Sequence, residues 1–191
     1  MFGGFADTGF DAAAAGARLT FFEAWYATLA YALQIYFDFS GYSDMAAGLA
    51  RMMNVRFPMN FDSPYKARSI ADFWRRWHIS LSTFIRDYLY IPMGGNRISA
   101  ARQATNLVLI MTLVGLWHGA GWNFVLWGLY HGVLLGVNHQ WRGAGRAVPV
   151  WAAWPLTFLV VMLGFVVFRA KDLTVLGNLF QSMAGMSVGD A

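Results

Sequence analysis

The sequence predicts an all-α, multi-pass membrane protein whose helices include re-entrant and interfacial amphipathic pieces. Three observations carry that reading. Of the 191 residues, 58% are hydrophobic and 17% aromatic, and only 13% are charged, against about 25% charged in an average soluble protein. From Gln103 to Trp141, 39 residues pass without a Lys, Arg, Asp or Glu, roughly twice what one helix needs to cross a bilayer. A second uncharged stretch, Ala147 to Phe168, ends at Arg169 and Lys171, residues that mark a membrane boundary.

Taken in order, Met1 to Ala17 is Gly/Ala-rich and reads as a loose lead-in. It has neither the basic nor the apolar region of a secretory signal, so insertion is expected to rely on the spans themselves. Leu19 to Phe37 carries only Glu23 as a charge and is the first candidate span. Turn residues place loops at Asn60 to Arg68 and at Ile91 to Asn96. Between them a single amphipathic helix is expected. Phe73, Trp74, Trp77, Leu81, Phe84, Ile85 and Tyr88 share one side of its wheel, and Asp72, Arg75, Arg76, Thr83, Arg86 and Asp87 the other. Such a helix lies along an interface rather than across it, with His78 at the edge of its apolar stripe.

The 39-residue neutral run must fold back, and its Gly115-Leu-Trp-His-Gly-Ala-Gly121 stretch is where it breaks. The first arm, Gln103 to Trp117, would be roughly 22 Å long against a hydrocarbon core of about 30 Å, which predicts re-entry rather than crossing. His118 then sits at membrane depth on irregular backbone, tolerable only inside protein or in a wet tunnel. After the turn, Gly128, Gly132 and Gly136 recur every fourth residue, clearing one helix face for close approach by another. Gly185 to Ala191 reads as a frayed end. The whole is expected to form one membrane domain, 1–191, of about three to five spans.

Charge is uneven. Arg51 to Arg102 holds nine Lys/Arg against Asp62, Asp72 and Asp87, which favours the cytoplasmic side. Arg142 and Arg146, beyond the neutral run, should face the same side as Arg97 and Arg102. Apolar spans on both sides tether the basic stretch to a bilayer, so anionic lipid headgroups rather than nucleic acid explain it. The absence of cysteine excludes disulfides, Cys-ligated zinc, iron–sulfur clusters and thiol catalysis.

His118 can take a proton from a hydroxyl and return one to a leaving group, as acyl transfer to an alcohol requires; packing against a backbone carbonyl is its bland alternative. His78, His131 and His139 read as structural on residue type alone. No His-Glu-x-x-His pattern occurs and no carboxylate lies within four residues of His118, so no metal site is expected. Ser40 is in no Gly-x-Ser-x-Gly elbow. The Gly119-Ala120-Gly121 turn lacks the third glycine of a dinucleotide loop, Phe124 standing in its place.

Several stretches together closely resemble the membrane-bound O-acyltransferases, above all their bacterial alginate O-acetyltransferase branch. They are Tyr36-Phe-Asp-Phe-Ser-Gly-Tyr-Ser-Asp44, Asp72-Phe-Trp-Arg-Arg-Trp-His-Ile-Ser-Leu81, Arg86-Asp-Tyr-Leu-Tyr90, Gly94-Gly-Asn-Arg97 and Gly115-Leu-Trp-His-Gly-Ala120. The resemblance runs from about Leu19 to Phe180. It makes His118 the catalytic histidine and His78 the second histidine shared by much of the family. It implies a helical fold with a tunnel through the inner membrane. An acetyl donor, acetyl-CoA being the candidate co-substrate, would enter from the cytoplasm, with no tightly bound cofactor. Acetyl would pass to an exported polysaccharide such as alginate or to a periplasmic partner protein. Such enzymes are much longer, so the chain reads as a central-to-C-terminal portion. D-Alanyl transfer to teichoic acid and peptidoglycan O-acetylation are the alternatives within the family. Outside it stand a transporter or channel component and an inactive scaffold.

Overall fold

Thr20 opens the longest helix of the protein, and it does so with a reciprocal cap. Its hydroxyl accepts from the Glu23 backbone N–H at 3.3 Å while the Glu23 carboxylate accepts from the Thr20 N–H at 2.8 Å, which satisfies two otherwise orphaned donors. The computed structural model describes residues 2–186, and all regular structure among them is helical. Helix α1 spans Phe2–Ala14 and α2 spans Phe21–Met52. At 32 residues α2 is about 48 Å long and runs well past the predicted Leu19 to Phe37 span, carrying the Tyr36 to Asp44 motif within it.

The lead-in is not loose. Ala6, Phe10 and Ala13 fall on one face of α1 and are buried, and Gly9 backs so closely onto Ala27 that an added Cβ would meet the Ala27 Cβ at 2.5 Å. Alanines favour the helix and the stripe has a partner in α2. Asp7 to Arg169 at 2.8 Å and Asp11 to Lys171 at 3.0 Å fasten α1 to the far end of the chain. Lys171 holds the Asp11 carboxyl below its usual range, first through their hydrogen bond. The predicted frayed end falls largely on residues 187–191, outside the described residues.

The predicted single amphipathic helix is in fact three pieces. α3 spans Ile70–Arg76, α4 spans Ile79–Ile85, and a π-helical turn covers Arg86–Tyr90. Trp77 is extended and His78 left-handed, with φ +46°. The wheel used one uninterrupted helix, and backbone partners from elsewhere remove it. The Asp62 N–H donates to the Arg76 carbonyl and the Ile79 N–H to the Asn60 carbonyl, both at 3.0 Å. Asn60 Oδ1 accepts from the Ser80 N–H at 3.1 Å and from its hydroxyl at 2.6 Å.

The neutral run breaks where expected, into α5, Ala100–His118, and α6, Trp122–Gly143. Here the glycines matter individually. A Cβ on Gly128 would overlap the Met111 carbonyl, one on Gly132 would lie 2.6 Å from Val108 Cα, and one on Gly136 would lie 3.2 Å from the Ala104 Cβ. The two helices therefore touch backbone to backbone along their length. Because α5 begins at Ala100, its 19 residues reach about 28 Å. The predicted shortfall against the bilayer core disappears, while the turn itself stands.

α7, Val150–Arg169, is the one helix among the described residues long and apolar enough to cross a membrane. The other candidate spans are diluted by polar residues, such as Gln34, Asp38 and Asp44 on α2. α8, Leu173–Met183, is capped by Asp172. α7 is also the centre of the core: Val161, Met162, Phe165 and Val166 are buried there with Tyr31, Phe73, Trp77 and Leu179. Trp25 Nε1 donates to the Met183 carbonyl at 3.0 Å and Tyr130 Oη to the Val160 carbonyl at 2.7 Å. Outward, Phe22, Leu113, Val137, Val150 and Trp151 are exposed. So much apolar surface requires an apolar medium or partner.

Candidate functional site

His118 is the last residue of α5, and the reason is local. Gly119 is extended, its N–H closes only a long 3.3 Å bond to the Leu116 carbonyl, and Gly121 begins α6. A side chain at Gly119 would strike the Phe124 ring, 2.5 Å from the Cβ position. The turn is therefore compact, and the imidazole stands at the tip of the hairpin. Three rings line one side of it: Trp117 at 5.0 Å, Trp127 at 5.2 Å and Phe168 at 5.2 Å, each edge to face. Its other side is open. The described residues thus line His118 on one side and do not by themselves enclose it in the tunnel expected from the sequence.

Phe168 comes from the end of α7 and is held by α6, because Asn123 Nδ2 donates to its carbonyl at 3.0 Å. Trp127 and His131, one turn apart on α6, continue the wall inward. His131 is 1% exposed and packs edge-on against Trp74 at 5.3 Å and Trp127 at 5.0 Å. Gly164 on α7 makes room for it, since a Cβ there would sit 2.6 Å from His131 Nε2. The structural reading of His131 from the sequence is what this packing shows.

His78 sits at the second helix break, between α3 and α4. It is half-buried and sits edge to face on Phe39 of α2 at 4.8 Å. Burial first, and then the charge of nearby His118, hold its imidazole below the ordinary value. The two histidines, 40 positions apart in sequence, thus lie near enough for the charge of one to act on the other. The left-handed turn that aims His78 is braced from behind. Arg76 donates through Nε to Asp72 at 3.0 Å and through Nη1 to the Asp62 carbonyl at 3.2 Å, and Ser69 caps α3 through the Asp72 N–H at 3.1 Å. Tyr36, Phe61, Tyr65 and Trp77 form the aromatic bed under this turn, with centroids 5.1 to 6.3 Å apart. Tyr65 Oη anchors that bed to the Ala32 carbonyl.

Several other motif residues are held in local hydrogen-bond networks. Asn96 Oδ1 accepts from Tyr90 Oη at 2.7 Å and Gln103 Nε2 at 2.8 Å, and Asn106 Nδ2 donates to the Met93 carbonyl at 2.9 Å, which ties the π turn to the start of α5. Gly94 and Gly95 adopt φ of +111° and +53° in the turn that follows the π turn, conformations that side chains disfavour. Ser40 spends its hydroxyl on the Phe37 carbonyl at 3.4 Å. Among the described residues no three His, Asp or Glu side chains gather as metal ligands. Phe39, Trp127 and Phe168 were missed from sequence. The i, i+4 spacing of Trp127 and His131 was the one signal that marked a wall.

Two imidazoles of unequal exposure, set among rings and without a carboxylate partner among the described residues, can move a proton between a hydroxyl and a leaving group. Residues 1–175 match the family model described as membrane-bound O-acyltransferase family. The chain is similar to the peptidoglycan O-acetyltransferase of Helicobacter pylori, 48% identical over 96% of this chain and 35% of that protein. It is similar also to the probable alginate O-acetylase AlgI of Azotobacter vinelandii, 50% identical over 88% of this chain and 34% of that protein. With the teichoic acid D-alanyltransferase of Streptococcus thermophilus it shares 32% identity over 72% of this chain and 39% of that protein. The chain thus spans about a third of the length of the relatives it matches. With the family model covering nearly all of its length, this chain belongs to the membrane-bound O-acyltransferase family.

Proposed function

We propose that the protein serves as the histidine-bearing part of a multi-pass inner-membrane O-acyltransferase that acetylates hydroxyls of an exported polysaccharide such as alginate. The observation that carries this reading is His118 standing at a helix break against the rings of Trp117, Trp127 and Phe168 with its other side open to an incoming substrate, while His78, at a second break, lies near enough to sense its charge. In the proposed reaction His118 removes the proton of the acceptor hydroxyl as its oxygen attacks the acetyl carbonyl of the donor. The bond from that carbonyl to the leaving group breaks, and the proton passes to the leaving group. With acetyl-CoA as donor, the products are the acetyl ester and free CoA thiol. His78 orients the acceptor or the His118 ring rather than taking the proton itself. The exposed apolar faces of α5, α6 and α7 support placing the hairpin at membrane depth, and the basic Arg51 to Arg102 stretch supports a cytoplasmic position for the hairpin's open end.

The test is ester-linked acetate on the exported glycan in cells whose protein carries His118→Ala, with membrane levels measured in parallel. Acetate falls to background while the protein stays in the membrane. Retention of more than about a tenth of normal acetylation would remove His118 as the general base, since such bases contribute about 10²-fold or more. The match to the peptidoglycan O-acetyltransferase over 96% of the chain favours a second acceptor. Assaying muramic acid and exopolysaccharide acetate in the same cells separates the two. A transporter would keep its flux in the His118→Ala protein.

A further inference from the structure

A cleft of about 690 Å³ lies apart from both histidines, between the last turns of α6 and the first half of α7, with the start of α3 across its mouth. Its trough is apolar: Leu134 and Val137 on one wall, Ala153, Leu156 and Val160 on the other. The mouth is basic, with Arg68, Arg75, Arg142 and Arg146 against the single carboxylate of Asp72. Arg75 reaches that carboxylate at 3.9 Å. Among the described residues, Arg68, Arg142 and Arg146 form no ion pair. The Arg146 guanidinium sits over the Trp141 ring, 5.3 Å from its centroid. One turn deeper, the buried Oδ1 of Asn138 accepts no hydrogen bond.

Uncompensated guanidinium groups, an unfilled acceptor one turn below them and an aliphatic trough below that describe the complement of an anionic amphiphile. Its phosphate would meet the arginines, a hydroxyl would donate to Asn138, and a hydrocarbon chain would lie between α6 and α7. Basic pockets between membrane helices hold anionic headgroups in this way. The cleft is open along its side, where Val137 and Val150 are 57% and 73% exposed, so a chain can enter laterally from a bilayer. It does not lead to the histidines. The packed rings of Trp74, Trp127 and His131, 5.0 to 5.7 Å apart, stand between Leu134 and His118, which separates this cleft from a donor path.

We propose that the cleft is a binding site for an anionic phospholipid with a hydroxylated headgroup of the phosphatidylglycerol type, held by Arg142 and Arg146 with Arg68 and Arg75 at its margin. This holds whether or not the chain transfers acyl groups. The experiment is native mass spectrometry of the full chain released from detergent micelles containing phosphatidylglycerol or phosphatidylcholine. Phosphatidylglycerol stays bound in preference. Arg142→Gln and Arg146→Gln each weaken its retention about fivefold, the worth of one basic residue near an anionic headgroup, while the Arg142→Lys/Arg146→Lys pair keeps most of it. Val137→Trp, which fills the trough and changes no charge, abolishes retention of the chain-bearing lipid. The three side chains changed are all exposed, and helical circular dichroism of each variant matches the parent. Equal retention of the two lipids, or unchanged retention in the Arg→Gln variants, overturns the proposal. So does displacement of phosphatidylglycerol by equimolar acetyl-CoA, which assigns the cleft to the donor.

Discussion

The helical breaks beside His118 and His78 end helices in opposite ways. At Gly119 to Gly121 the chain itself stops the helix: extended Gly119, Ala120 and Gly121 supply no continuing turn, and the Phe124 ring and the Asn123 side chain fill the space the missing side chains leave. At Trp77 and His78 the local residues would continue a helix, and the left-handed His78 is uncommon for a residue with a Cβ. That break exists because Asn60 and Asp62 donate and accept at the backbone groups it frees. The lesson is that one histidine is aimed by its own sequence and the other by a loop 16 to 18 residues away. Mutations should separate the two.

The largest effect is expected on chemistry. His118→Ala should lower acyl transfer by about 10² to 10⁴-fold, the usual worth of a general base, whereas His78→Ala should lower it less and leave the identity of the base intact. Equal losses in initial-rate assays would merge the two roles. Next comes packing of the hairpin that carries His118. Gly128→Val forces a branched side chain into the Met111 carbonyl, and overpacking against backbone costs about 3 kcal/mol or more. Gly143→Val, with nothing within 4 Å of its Cβ position, should leave thermal melting in detergent almost unchanged. Similar melting of the two variants would mean α5 and α6 do not meet as described.

Asn60→Ala tests the second break. It deletes the acceptor of two Ser80 bonds, a loss of about 1 to 3 kcal/mol when a buried group is left unpaired. Acyl transfer should fall as His78 loses its aim, and Asn60→Asp, which keeps the acceptor oxygen, should restore most of it. No rescue would argue that the break does not depend on this residue.

The smallest effect is on pH dependence. Burial keeps the folded His78 below its reference value of 6.5, so the unfolded chain binds the proton first as pH falls. Stability from this residue is complete above pH 6.5 and declines as pH drops through it toward the lower folded value. Melting temperature should therefore drop between pH 7.5 and 5.5, and His78→Gln should shrink the drop. A difference of the opposite sign would place His78 beside a carboxylate rather than in an apolar bed.

Sequence alone was sufficient for the helical class, for the fold-back at Gly115 to Gly121 and for the close glycine face of α6, because each follows from local composition and spacing. The motifs were sufficient for the family as well, and for His118 and His78 as candidates. Periodicity misjudged two regions for one physical reason. Met1 to Ala17 lacks a strong pattern of its own and becomes α1 because α2 and the Asp7 and Asp11 ion pairs receive it. Asp72 to Tyr88 has a strong pattern and is nevertheless broken, because hydrogen bonds from Asn60 and Asp62 outweigh continuity of the helix. Only the tertiary structure could decide that His78 packs on Phe39 near enough to sense His118, that Trp127 and Phe168 wall His118, and that four arginines from α3, α6 and their flanking loops converge on one apolar trough. Those arrangements depend on which backbone groups and charges distant segments bring to each other, and spacing along the chain does not encode that meeting.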